Sequence, residues 1–353
     1  MGHVNVALCA GGFILQVIDA PIAHKLPTEP VKLFMPTYDV MPPLSDTGST
    51  GAAILGRTKP PSTRDVASSL DRPGRTTPGP VADPDPALLE PYPVASGFTL
   101  PRIAADGRRP MGAYAAGFDS SSLRPRVGIL ISGIGMNEAD SLAAIKNLPG
   151  AVTLAISPYA GDLARLLSIA RLTEHEYLLS IPMEPQGYPV NDPDDRDTMM
   201  TSLSSAENLD RLRRILGRIS GYVGVTNALS QMRGERLASV ADQFDVALRD
   251  FEHRGLLFFD VRVGEPLLMH VWNRAPDLVI DNDPVDRAVL DRRLDALTRL
   301  ALDKGSALGF VSLPRPLTRE RLVAWTNSLA SKGVVLAPIS ALVLPPAKQD
   351  SEN

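Results

Sequence analysis

From Arg126 onward, apolar runs of four to seven residues alternate with stretches in which apolar residues recur every three or four positions. The runs Val127–Ser132, Val152–Ser157, Tyr177–Ile181, Tyr222–Asn227, Leu256–Arg262, Leu278–Asp281, Ala307–Ser312 and Val334–Ile339 are expected as strands. The segments between them predict helices over Glu138–Asn147, Gly161–Arg171, Ser205–Ile219, Glu235–His253, Pro284–Lys304 and Thr318–Ser331. Gly255, Gly305 and Gly333 stand just before strands, where helix stop signals belong. Strands that are apolar throughout are buried on both faces, and their alternation with helices implies a parallel sheet. Seven or eight such βα units in about 220 residues predict an α/β fold built as a (β/α)7–8 barrel, closed or nearly so. An open doubly wound sheet is the alternative.

The first third of the chain has a different texture. Residues Val4–Ile22 are mostly apolar, but the uninterrupted run is shorter than the roughly 20 residues of a membrane span. It fits the apolar part of a signal peptide or anchor, although only His3 precedes it as a basic group. A buried element of the fold is the competing interpretation. Sixteen of the 32 prolines lie between Pro27 and Pro110. No hydrophobic period persists there, so too little apolar surface is available to offset ordering entropy. The expected organisation is a signal or anchor over 1–24, a disordered Pro-rich linker over 25–97, a docking arm over 98–124, the folded domain over 125–344 and a tail over 345–353.

Composition narrows the function. A net charge of −4 offers no basic surplus for nucleic acid. The single cysteine, Cys9, excludes an intrachain disulfide and a Cys-rich zinc site. Of five histidines, none stands at the C-terminal end of a predicted strand, where a parallel barrel places its chemistry. Ser132, Ser157, Ser180 and Ser312 do stand at such ends, but no histidine base accompanies them. Gly133-Ile-Gly135 lacks the third glycine and the acidic residue of a dinucleotide loop. What remains are carboxylates and arginines: Glu184, Asp260 and Asp281, with Arg262 and Arg315 able to balance them. Each taken singly also fits a structural role, with Asp260 paired to Arg262 and Asp281 capping the next helix. Together, at consecutive strand ends, they are expected to line a pocket. Tyr159 is a candidate surface for stacking on a sugar face.

The ordered series ILISGIGMN, LPGAVTLAISPYA, YLLSIPMEP, GYVGVTNALSQ, RGLLFFDVR, VIDNDP, LGFVSLPRPLT and GVVLAPISALV resembles the divergent polysaccharide deacetylase family over roughly Arg126–Leu344. The resemblance implies the barrel of the glycoside hydrolase/deacetylase superfamily and an envelope protein with an N-terminal signal or anchor. It also implies a divalent metal, and here the sequence departs from the pattern. Ser132 and Gly133 occupy the positions of the paired aspartates, Ser180 and Ala228 those of histidines, and Val311–Arg315 lacks another histidine. Glu184, Asn227, Asp260, Arg262, Asp281, Asn282 and Arg315 survive.

The expectation is therefore a periplasmic or inner-membrane-anchored protein with no metal cofactor. Glu184, Asp260 and Asp281 are its candidate catalytic residues, and Tyr159, Asn227, Arg262, Asn282 and Arg315 its candidate ligand contacts. The expected partner is glycan or peptidoglycan, or an envelope protein, with a membrane tether through residues 4–22. A deacetylase acting through a non-standard site and a structural assembly protein remain as alternatives.

Overall fold

Nine parallel strands form one curled sheet in the computed structural model of the chain, which describes residues 73–92, 97–190, 196–230, 232–283 and 285–347. The segment over 1–24 and most of the Pro-rich stretch lie outside the described residues, as do 191–195. Among the described residues, no helix is long and apolar enough to cross a membrane.

The central strand is β3 (Arg126–Ile134), with eight consecutive buried positions from Val127 to Ile134. On one side it pairs with β4 (Thr153–Ile156), which continues through β5 (Tyr177–Ser180), β6 (Gly224–Thr226), β7 (Leu257–Phe259) and β8 (Asn273–Arg274). On the other side stand β10 (Ser306–Val311) and then β9 (Leu278–Val279). The strand β11 (Val335–Leu336) pairs with Arg126 and Val127, below the point where β4 begins at Leu130. The ladder stays open between β8 and β9, which are consecutive in sequence. Arg274 spans this seam, donating to Ser306 Oγ at 3.0 Å and to the Leu342 carbonyl at 3.2 Å. Asp277 continues the stitch by accepting from Leu308 N at 2.9 Å.

Helices cover the outside. They are α2 (Glu138–Asn147), α3 (Leu163–Leu172), α4 (Ser205–Leu216), α5 (Glu235–Ala238), α6 (Ala241–His253), α7 (Arg287–Lys304) and α8 (Pro316–Ser328). Local chemistry sets their ends. Ser204 and Glu207 form a capping box at α4, and Asn137, Asp162 and Asp286 cap α2, α3 and α7 through their side chains. The helix expected over Glu235–His253 is broken at Ser239-Val240 into α5 and α6. The structural alternative for Asp281, a cap on the next helix, does not hold, because Asp286 starts α7. His175 is buried against the outer face, its two ring nitrogens 2.7 Å and 3.0 Å from the Val152 and Ile145 carbonyls.

Strand alternation puts a second apolar set on the inner face. Leu130, Ala155, Leu178, Leu257 and Phe310 form its middle. The same parity places Thr153 and Glu176 below them and Ser132, Ser157, Ser180 and Ser312 at the upper rim.

The lower end is plugged by chain that composition assigned to a linker. Val81, Leu88 and Tyr92 are buried, and the short strand β1 (Leu89–Pro91) pairs antiparallel with β2 (Thr99–Pro101). The helical turn α1 (Pro110–Ala113) follows, and Met111, Tyr114 and Phe118 join the inner core. The linker boundary at 97 is thus corrected: from Pro73 to Tyr92 the chain packs on the domain. Its few apolar residues suffice because the open inner face supplies a ready surface to bury. Arg254 ties this arm down, donating to Glu90 at 2.8 Å, to the Pro101 carbonyl at 2.9 Å and to Asp250 at 2.7 Å.

Candidate functional site

The strand C-terminal ends form the mouth of the half-barrel. Neighbours hold Glu184, Asn227, Asp260, Arg262 and Asp281 there.

Asp260 follows β7 and is buried. Its carboxylate accepts from Arg262 Nε at 3.0 Å, from the other side of that fork at 2.5 Å, and from Asn227 Nδ2 at 2.9 Å. Burial disfavours the Arg262 charge, but the hydrogen bonds and charge of Asp260 more than offset this, so its pKa is raised. The Asp260–Arg262 ion pair foreseen in the sequence is therefore present. Asn227 also donates to the Arg233 carbonyl at 2.7 Å and accepts from Val261 N at 2.8 Å, which ties the loop after β6 to the end of β7.

Glu184 is buried beyond β5. One carboxylate oxygen meets Arg236 Nε at 2.9 Å and the other accepts from Thr201 N at 2.5 Å. Its backbone carbonyl accepts the amides of Arg236 and Leu237 at 3.2 and 3.3 Å, so it holds the start of α5 twice. Asp281 follows β9, and its side chain has no solvent exposure. It accepts the amides of Ser312 at 2.7 Å and Leu313 at 3.1 Å, and Arg315 NH1 reaches it only at 3.4 Å.

The three carboxylates are thus not presented together as a bare cluster. Glu184 and the Asn227–Asp260 pair fix the chain on either side of Arg233, and Asp281 fixes the turn that carries Arg315. The two arginines share a cavity of about 190 Å³ with Ser230, Asp281, Asn282 and Asp283. Asn282 lies at its surface, and its carbonyl accepts from Arg293 at 2.6 Å. The Arg233 guanidinium lies 5.8 Å from the centre of the Phe310 ring, which floors the mouth. Sequence reasoning missed Arg233, because it comes from a loop with no apolar period. Tyr159 is 47% exposed, with the Arg218 guanidinium 5.3 Å from its ring centre, and does not line this cavity. A larger cavity lined by Arg75, Phe118, Arg126 and Trp272 opens at the opposite, lower end, away from the strand C-terminal ends.

The donors required by a catalytic metal do not fit. Four-coordinate zinc wants three imidazole, thiolate or carboxylate ligands and an open position. At the corresponding places stand Gly133, Ser180 and Ala228. The Ser180 hydroxyl donates to the Ala228 carbonyl at 2.9 Å. Gly133 has φ +76°, and a Cβ there would lie 2.7 Å from Leu313 Cδ2. The Ser132 hydroxyl donates to the Ser312 carbonyl at 2.7 Å. Among the described residues, no three His, Cys, Asp or Glu side chains are grouped to hold an ion.

The chain is similar to proteins of known structure. The chain is 33% identical to the uncharacterized protein ATU2773 from Agrobacterium tumefaciens C58, covering 70% of this chain and 100% of that one, with a TM-score of 0.63. The catalytic domain of peptidoglycan N-acetylglucosamine deacetylase from Eubacterium rectale ATCC 33656 aligns at 10% identity and a TM-score of 0.42, over 68% of this chain and 99% of that one. No functionally curated protein matches the sequence. Residues 129–343 match the profile of divergent polysaccharide deacetylases, and with this span and the strand series already described, the chain belongs to the divergent polysaccharide deacetylase family.

Proposed function

We propose that the protein binds N-acetylated glycan or peptidoglycan at the strand-end mouth and does so without metal-dependent deacetylation. Family membership supports a carbohydrate-related function. The observation that carries the finer reading is the replacement of the ligand positions by Gly133, Ser180 and Ala228, together with the engagement of Glu184, Asp260 and Asp281 in holding backbone and arginine. A metal-activated water needs the ion and a free carboxylate to take its proton. Here each carboxylate is already committed to charged or amide donors. The Asp260–Arg262 and Asp281–Arg315 pairs suit a polar pocket that binds. The same reading places the protein in the envelope, tethered or exported through residues 4–22, on the strength of their apolar run.

Binding of the purified full chain to peptidoglycan and to N-acetylglucosamine oligomers, measured with and without chelator alongside acetate release, tests this. Chelator-insensitive binding with no acetate release and no stoichiometric zinc is expected. Acetate release abolished by chelator would overturn it. A reporter fused after Asn353 should be active outside the cytoplasm; activity only inside would refute the location.

A further inference from the structure

We infer that the mouth pocket selects an acidic sugar, a glycan residue whose carboxylate is held between Arg233 and Arg315. The inference rests on the glycan reading above and names the ligand class of that same site.

Three of the carboxylates at the mouth are already engaged, and Asp283 stays exposed on the rim of the cavity. Asp281 accepts two backbone amides and is sealed from solvent, so it contributes scaffolding to the cavity wall. Asp260 is enclosed by Arg262 and Asn227. Glu184 is enclosed by Arg236 and the Thr201 amide. The positive groups are arranged differently. Arg315 is 42% exposed, and its one contact to Asp281, at 3.4 Å, is longer than an ordinary charge-assisted bond. Arg233 donates through Nε to the Ser230 carbonyl at 3.2 Å, and its two terminal nitrogens carry four further N–H groups. The guanidinium fork matches a carboxylate in shape and charge.

Positioning strengthens the case. Flexible arginines on a solvated rim are common and bind little. Arg233 instead has its own carbonyl pinned by Asn227, and it precedes Gly234, which has φ +76° and packs so tightly that a Cβ would lie 2.8 Å from Met183 Cβ. Phe310 below limits water on one side, where a charge-assisted contact gains strength from the lower local dielectric. Asn282, Asp283 and Ser230 complete the cavity with groups suited to sugar hydroxyls and an acetamido N–H. The cavity opens to solvent, so one sugar residue can rest in it with its outer face exposed. A neutral sugar would offer the two guanidinium groups hydroxyl oxygens and no negative charge to match theirs.

Titration calorimetry on the full chain decides the matter, with five probes: the methyl glycosides of N-acetylmuramic acid and glucuronic acid, the carboxamide of each, and inorganic phosphate. At least one acid is expected to bind about tenfold or more tighter than its carboxamide. That difference is expected to collapse in R233A and in R315A, and to shrink only partly in R233K and R315K, which keep charge without the fork. The lysine variants carry the test if an alanine variant does not fold. Which acid wins separates a lactyl carboxylate from a uronic one. Equal binding of acid and carboxamide overturns the inference and leaves glycan binding standing. Failure of every sugar probe sinks both. Phosphate bound as tightly as the acid overturns it in favour of a plain anion site.

Discussion

Ser340 meets the Glu176 carboxylate twice, its amide at 3.0 Å on Oε1 and its hydroxyl at 2.5 Å on Oε2. Thr153 Oγ1 and the Ala116 amide supply a donor to each oxygen as well. One buried side chain therefore joins the N-terminal arm, the inner face of the sheet and the C-terminal turn.

Glu176→Gln should be costly. Each carboxylate oxygen faces a backbone N–H, so either orientation of the amide sets its NH2 against a donor. The expected loss is about 1–3 kcal/mol, read from urea midpoints. The size of this loss would be surprising for a near-isosteric change elsewhere.

The same residue sets a pH slope. Burial pushes the Glu176 pKa up, and its hydrogen bonds only partly counter this. A carboxyl with a raised folded-state pKa binds protons more readily in the native state than in the unfolded one. Its contribution to stability is full below the unfolded value near 4.5 and declines as pH rises through the folded value. The stability difference between wild type and Glu176→Ala should therefore shrink from pH 4 upward. A difference that grows with pH contradicts the assignment.

Arg254→Ala should release the arm. The change leaves Asp250 buried with only Arg213 at 3.0 Å and strips Glu90 of its partner. About 3 kcal/mol of lost stability is expected. Limited proteolysis should then cut between residues 73 and 118 well before the barrel.

Restoring aspartates at Ser132 and Gly133 should not restore a metal enzyme. The Gly133 backbone has a positive φ and its Cβ space is taken by Leu313, so the pair is expected to lower the melting temperature. No zinc-dependent acetate release should appear, because Ser180 and Ala228 still provide no imidazole. Recovered activity would show that the ligand positions lie elsewhere.

Asp281→Asn tests the clamp on the turn carrying Arg315. One of the two amides, Ser312 or Leu313, would face an NH2 group. A loss of about 1–3 kcal/mol is expected, with weaker glycan binding alongside it.

What was legible in the sequence follows physical rules. Arg126–Ile134 and Ser306–Val311 are long apolar runs buried on both faces, and such runs announce themselves. β8 has only Asn273 and Arg274, polar residues serving the seam, and carries no hydrophobic signal. Val81, Leu88 and Tyr92 were hidden by surrounding prolines, because composition measures how little a segment can bury alone and not what surface awaits it. The identities of Glu184, Asp260 and Asp281 were readable from strand ends. The arginine partners of Asp260 and Asp281 were readable too, but the backbone amides of Thr201, Ser312 and Leu313 were not, since a main-chain donor leaves no trace in residue type. Arg233 itself could have been suspected from Arg233-Gly234 closing the loop that begins at Asn227.

The arm that plugs the lower end also fixes the direction of the molecule. Pro73 borders the cavity beside Arg126, where β3 begins, so the arm starts at the base of the sheet. The mouth with Arg233 and Arg315 lies at the other end of the strands. A long polymer laid across the mouth therefore does not meet the arm from Pro73 to Tyr92, which packs at the other end of the strands.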